Sequence, residues 1–300
     1  MVAYIEIYKA NWVKTEKEVN IFVYVNYFLY ICIMKNTKYK KQFDANLILK
    51  LNKEGNNISQ IANIINIPAR RLSEMIKQNE LNIKKNFTYN VDDNFFENID
   101  NELKAYILGY IIADGCISIT KRINKKSYRL QFLSSIDDEY IIKLIKKSIS
   151  PNSKIFKSNC QLGVKLRKKQ LRLRLTSEKI CKDLINLYGV TPNKTLNDKF
   201  KFPNIKNSLK KHLIRGVFDG DGHYKKGRQF QFCLNSHQFC EDIAIELQNN
   251  IEGIKYRIVE LQGKTCKYYN LYINTGYGVA DKISDYLYKD SKYYLNRKKF

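Results

Sequence analysis

Hydrophobic positions change their period along this chain. From Asn46 to Gln78 apolar residues recur at three- and four-residue spacing in short blocks, which predicts three short helices. These are NLILKLNKEG, closed by a glycine; SQIANII, opened by a cap at Ser59; and ARRLSEMIK, after the turn Asn66-Ile67-Pro68. From residue 103 onward, apolar helices alternate with short runs of period two. LKAYILGYIIADG (103–115) and LKKHLIRGVFDGDG (209–222) are two such helices, each ending in Asp-Gly. Strand pairs follow them, CISITKR with YRLQFLSS and HYKKG with RQFQFCLNS. Each pair leads to a helix, DDEYIIKLIKKSI or QFCEDIAIELQNNI, and then to a second strand pair, IFKSN with QLRLRLTS or YRIVEL with YNLYINT. A closing helix ends each series, SEKICKDLINLYG or VADKISDYLYKD. The same order at a spacing of roughly one hundred residues reads as a duplicated helix-plus-sheet unit.

The strands also predict which face packs. In Gln170-Leu171-Arg172-Leu173-Arg174-Leu175-Thr176 the leucines point one way and Gln170, Arg172, Arg174 and Thr176 the other. Arg129 and Gln131 flank Leu130 in the same manner, as Gln229 and Gln231 flank Phe230. An antiparallel sheet with one face on helices and the other lined by Arg and Gln has the side chains for bidentate contact with guanine and adenine edges and with phosphates. The chain therefore divides into an N-terminal extension (1–40), a helix-turn-helix-like domain (44–80), a linker (81–99) and two similar halves (100–200 and 201–300). In the small domain the last helix is expected to present Arg70, Arg71, Ser73 and Lys77 to a major groove.

Charge narrows the partner. The 300 residues carry 53 Lys and Arg against 29 Asp and Glu, and residues 101–300 hold +21 of the +24 net charge. Such a surface attracts polyanions and releases counterions on meeting phosphates, which makes nucleic acid the leading partner. Seven cysteines, none at CxxC spacing, and three scattered histidines predict neither a zinc site nor a disulfide framework. The apolar run IFVYVNYFLYICIM (21–34) is shorter than the roughly 20 residues of a bilayer span and contains Asn26. No membrane or secretory role is expected, and a monomer in a bacterial or phage-infected cytoplasm or in an organelle such as the mitochondrion is.

The paired Asp-Gly helix ends need a cause, because the helix dipole repels a carboxylate at a C-terminus. A divalent cation supplies one: Mg²⁺ or Mn²⁺ prefers a few oxygen ligands shared with substrate phosphate. The glycines after the two acids, Gly115 and Gly222, are expected to take a left-handed turn that stops each helix. Gly109, Ala113, Gly216 and Gly220, at four-residue spacing, are expected to let the two helices touch and bring Asp114 to Asp221.

These segments, Ile107-Leu108-Gly109-Tyr110-Ile111-Ile112-Ala113-Asp114-Gly115 and Ile214-Arg215-Gly216-Val217-Phe218-Asp219-Gly220-Asp221-Gly222, resemble the two motifs of the LAGLIDADG homing endonucleases. The resemblance covers roughly residues 100–300. It implies an α+β fold, a pseudo-symmetric pair of αββαββα halves whose sheets form a saddle on a long duplex-DNA site, with both strands cut in the presence of Mg²⁺. Carried over by position, Asp114 and Asp221 are the metal ligands, and the carbonyls of Ala113 and Gly220 assist. Lys194 and Lys298, after the closing helices, resemble the family's basic residues near the scissile phosphates. The first motif departs at its sixth position, Ile112 in place of an acid. Two other readings of the same scaffold stay open, an RNA-binding intron maturase and a catalytically silent DNA-binding regulator.

Overall fold

A computed structural model of the protein describes residues 43–83, 90–122, 125–158, 161–162, 165–166, 169–225, 229–263, 265–274, 276 and 278–300. The N-terminal extension and the apolar run at 21–34 lie outside the described residues. These fall into two compact units, one within Met1–Thr88 and one within Tyr89–Phe300.

The smaller unit is three short helices, α1 (Ala45–Lys53), α2 (Ile58–Ile64) and α3 (Ala69–Gln78), closed over Ile48, Ile61, Ala62, Ile67, Leu72 and Ile76. Asp44 caps α1 by accepting from the Asn46 and Leu47 amides. α2 is not capped by Ser59. Asn57 accepts from the Ser59 and Gln60 amides while the Gln60 side chain accepts from the Asn57 amide, a reciprocal capping box that places Ser59 inside the first turn.

The larger unit contains two copies of one arrangement. In the first, α4 (Glu102–Asp114) runs directly into β1 (Gly115–Arg122) and β2 (Lys125–Ser135), followed by α5 (Glu139–Ile149), β3 (Ile155–Ser158), a short hairpin β4 (Gln161–Leu162) and β5 (Lys165–Leu166), β6 (Gln170–Thr176) and α6 (Glu178–Asn186). In the second, α7 (Asn207–Asp221) runs into β7 (Gly222–Lys225) and β8 (Gln229–Leu234), then α8 (His237–Asn250), β9 (Tyr256–Gln262), β10 (Lys267–Ile273) and α9 (Val279–Tyr288). The sheets are antiparallel with orders β1-β2-β6-β3 and β7-β8-β10-β9, the same order twice. Gly115 pairs with Phe132 in one and Gly222 with Phe232 in the other, so the copies share their register as well.

Alternation sets the layers. Leu130, Phe132, Leu171, Leu173 and Leu175 are buried on one side of the first sheet, as Phe230, Phe232, Leu271 and Ile273 are in the second. The Phe218 ring stacks on Phe230 at 4.3 Å and meets Phe232 edge-on at 5.5 Å, tying α7 to its sheet. Residues 90–99, read from sequence as the end of a linker, pack into this unit: Phe95, Phe96 and Ile99 are buried, the Asp92 amide donates to the Ile149 carbonyl, and Ser177 donates to Asp93.

α4 is buried on every side from Ala105 to Ala113, because one face meets its own sheet and the other meets α7. That second contact is backbone on backbone. A Cβ added to Gly109 would sit on the Leu213 carbonyl oxygen and 3.0 Å from the Val217 nitrogen; one on Gly216 would sit on the Tyr106 carbonyl oxygen and 2.8 Å from the Tyr110 nitrogen. Gly220 meets the Ala113 methyl in the same way. The glycines after the motif acids act differently from expectation. Gly115 (φ −73°, ψ 151°) and Gly222 (φ −83°, ψ 155°) are extended, not left-handed, so the chain passes straight from helix to strand. They are required by space: a Cβ at Gly115 would lie 2.7 Å from the Ile111 carbonyl oxygen, and one at Gly222 would enter the Phe218 ring.

Gly216→Ala is expected to lower stability by about 1–3 kcal/mol or more, since neither backbone can yield without separating the helices. Gly276→Ala, where nothing lies within 4 Å, provides the control. Urea unfolding measures both, and an unchanged midpoint for Gly216→Ala would contradict the seam.

Candidate functional site

The helix seam ends at the two carboxylates. Gly220 abuts Ala113, and a Cβ there would stand 3.5 Å from Asp114 Oδ2, so the acid of one motif lies beside the residue preceding the acid of the other. Asp114 is exposed and Asp221 half-buried, yet protein crowds both. Burial pushes the Asp114 carboxyl up, opposed by a Tyr110 hydrogen bond and the nearby Lys194 charge. Burial, with the Asp114 charge second, pushes Asp221 up to about 6, while Lys194 and Lys298 pull it down. Two crowded carboxylates, one of them raised by the charge of the other, form a site whose charge a cation would neutralise.

Both lysines predicted from sequence reach this place. Lys194 donates to the carbonyls of Ile111 (3.1 Å), Ile112 (2.6 Å) and Ala113, the free end of α4. Lys298 donates to the Gly222 carbonyl just past α7 and stands over the Phe218 ring at 5.8 Å. Burial lowers the pKa of each, and the acids oppose this for Lys194. A cavity of about 280 Å³ opens beside Lys194, lined also by Ala113, Asp221, Cys233 and Phe239 among others.

The donor set suits a hard cation. Among the described residues no three His, Cys, Asp or Glu side chains converge, so a closed cage of the zinc type is not formed there. Two carboxylates and helix-end carbonyls match an ion that keeps most of its coordination for water and phosphate oxygens. The Ala113 carbonyl, expected as a ligand, is engaged by Lys194.

The six sheet residues predicted from sequence lie on the sides away from the helices. Arg174 Nε donates to Gln131 at 2.8 Å, with Arg129 and Arg172 on the same face. Gln229 donates to Gln231 at 3.3 Å on the other sheet. That second face carries residues that the sequence reading missed. Arg257 stacks on Tyr272 at 4.8 Å, and His223 and Lys225 pair with Gln231 and Gln229. Adjacent Ile258 and Val259 break the alternation in YRIVELQ, and the tyrosines of YNLYINT disguise their polar face, so neither strand marks Arg257. Arg172 Nε and Asn270 Oδ1, one per sheet, are buried without a partner among the described residues. In the small unit Arg70 and Arg71 both pair with Glu74, and Ser73 donates to the Ala69 carbonyl. Among the described residues none of the six sheet side chains is hydrogen-bonded or ion-paired to Asp114 or Asp221.

The largest surprise is ionic and internal. Arg215, in the second motif, is fully buried and donates to Glu102 (2.7 Å), Ser291 (2.6 Å) and the carbonyls of Leu287 (2.7 Å) and Tyr293 (2.8 Å), and contacts His212 at 2.9 Å. Asp219, at the sixth motif position, is also buried and accepts from Tyr106 (2.7 Å), Tyr288 (2.8 Å) and the Leu295 amide (2.7 Å). Burial pushes Asp219 up to about 6 despite these donors. Its counterpart Ile112 is apolar, which was visible in the sequence; an arginine inside an apolar helix was the overlooked sign of the partner network.

No family model matches the chain, and no curated protein does. Solved structures are similar in architecture at low identity. I-DmoI in complex with DNA and Mn is 18% identical, with 63% of this chain and 97% of that chain covered and a TM-score of 0.43. The homing endonuclease I-WcaI bound to its DNA recognition sequence is 17% identical (73% and 97% covered, TM-score 0.40). The N-terminal LAGLIDADG domain of DUF199/WhiA is 15% identical (67% and 89% covered, TM-score 0.40).

The raised Asp221 carboxyl has a definite sign in stability. A folded-state value of about 6 against an ordinary 3.8 means the fold binds this proton more tightly, so stability falls as pH rises from near 4 to 6 and stays lower above. Asp221→Asn, which mimics the protonated acid, is expected to raise Tm at pH 8 and leave it unchanged near pH 4. Calorimetry at the two pH values checks this, and a destabilised variant at pH 8 would contradict it.

Proposed function

We propose that this protein is a divalent-metal-dependent endonuclease that binds and cuts duplex DNA at a long site, as a single-chain LAGLIDADG homing endonuclease. The single observation that carries the reading is the pairing of Asp114 with Asp221 at the ends of two helices in backbone contact, each end topped by a lysine. A structural role alone leaves two mutually repelling carboxylates at the negative poles of two helices. When bound, Mg²⁺ would supply a Lewis acid and a more acidic water. Asp114 and Asp221 would hold it, with the Gly220 carbonyl available beside them. Lys194 and Lys298 would neutralise charge growing on the phosphate oxygens.

The sheets would provide the binding face. Arg129, Gln131, Arg172 and Arg174 on one sheet and Gln229, Gln231 and Arg257 on the other offer both phosphate and base-edge contacts. The small helical unit would act as a helix-turn-helix through α3, with Arg70 and Arg71 exchanging Glu74 for phosphates; the Arg70 pair is exposed and resists little.

Plasmid cleavage tests the function. The substrate joins the sequences flanking the coding region, backed by a library of randomised inserts. Wild-type protein with Mg²⁺ is expected to linearise the plasmid and EDTA to prevent it. Asp114→Asn and Asp221→Asn should fall to background, and Lys194→Met or Lys298→Met should lose about a hundredfold or more. Tight binding without cutting in any divalent metal would overturn the nuclease reading and leave a DNA-binding regulator. Affinity should also fall by about a thousandfold or more between roughly 50 and 200 mM salt. A fluorescence-anisotropy titration showing a flat salt response would rule out a phosphate-tracking surface.

A further inference from the structure

The two lysines at the acidic centre are held in unlike ways. Lys298 closes a single helical turn, Asn296–Lys298, whose base is fixed where the Leu295 amide donates to Asp219 at 2.7 Å. The outer side of the turn is fixed by the other half of the molecule. Arg297, the residue next to Lys298, grips Asp138 in a two-pronged pair at 2.5 and 2.6 Å, and Asp138 is buried just after β2. Further back, Glu102 at the start of α4 accepts from the Lys292 amide at 2.8 Å as well as from Arg215. The segment from Ser291 to Lys298 is thus strapped to the first half at both ends.

Among the described residues nothing equivalent holds Lys194. Three residues before Gly115 stands Ile112, where Asp219 stands three before Gly222, so the first half has no acid to fix the base of its turn. Register alignment of Phe132 with Phe232 puts Gln238 at the counterpart of Asp138, and Gln238 donates within its own helix to Glu241 and Asp242. Asn193 stands where the second half has Arg297.

We propose that Asp138 and Arg297 are positioning residues for Lys298, which make chemistry on one DNA strand depend on a contact between the two halves while chemistry on the other strand, served by Lys194, does not. This rests on the nuclease reading above. A bidentate guanidinium–carboxylate pair fixes both distance and plane, and a side chain displaced by about 1 Å at a reacting phosphate can cost about a hundredfold in rate. Breaking the pair should therefore slow the strand that needs Lys298 and spare the other.

The test follows each strand separately in single-turnover cleavage of an end-labelled duplex, with duplex affinity measured in parallel in Ca²⁺. Lys298→Met identifies the strand that depends on Lys298. Asp138→Asn and Arg297→Gln are each expected to slow that strand by between about tenfold and a hundredfold, accumulating a nicked intermediate, with affinity not lowered for Asp138→Asn. The double variant should be no slower than the worse single one. Asp138→Asn also separates positioning from DNA contact, since losing a negative charge could only favour phosphate binding. Equal slowing of both strands, slowing of the opposite strand, or additive losses would overturn the proposal. Absence of cutting by wild-type protein would instead sink the nuclease reading.

Discussion

The contact on which the rest depends is backbone against backbone between α4 and α7. Gly109 and Gly216 each give up a side chain to let a carbonyl of the opposite helix occupy that space, and Gly220 admits the Ala113 methyl. Helices with ordinary side chains at a crossing stand roughly 8–10 Å apart; glycine removes that spacer. Since the acids follow the last of these contacts by one residue, the tightness of the seam sets how close the two carboxylates come. Burial at the seam raises both pKa values, and the Asp114 charge adds to it at Asp221, so the packing that stabilises the pair of halves also creates a site that is unfavourable until a cation binds.

A second consequence concerns where charge can be buried. Arg215 and Glu102 form an ion pair across the halves in the interior, and Arg215 Nε and Nη1 are further engaged by carbonyls, a hydroxyl and His212. Such a pair adds little net stability over apolar residues, but removing either partner alone is costly. It therefore acts mainly as a device for register, fixing the closing segment of the second half against the first motif helix. Asp219 belongs to the same network, which explains how an acid can occupy the sixth motif position without lying at the candidate metal site.

Much of this was legible in the sequence. The recurrence of apolar helix, strand pair, helix, strand pair and helix gave the two sheets, and alternation in QLRLRLT and QFQFCL assigned their faces, because a half-buried antiparallel strand writes its environment with period two. The four-residue spacing of Gly109, Ala113, Gly216 and Gly220 marked the seam for the same reason at helical period. What escaped depended on three-dimensional neighbours. Gly115 and Gly222 looked like turn glycines, yet their constraint is a steric one set by Ile111 and Phe218 one turn earlier. The role of Arg215 escaped because all its partners but His212 lie far along the chain, on α4 and in and beyond α9. The Asp138–Arg297 pair joins residues 159 positions apart, with no local pattern at either end. Ser59 yielded the capping role to Asn57 because two residues with capping oxygens stood within one turn, and backbone geometry chose between them.

The central claim is that Asp114 and Asp221 work as one cation-binding centre, and it is tested most directly by titrating Mn²⁺ into the protein and following free ion by electron paramagnetic resonance. The account predicts saturable binding by wild type that is lost in Asp114→Asn, in Asp221→Asn and to the same extent in the double variant. Binding that survives either single substitution, or that falls by independent additive steps, would contradict a shared centre.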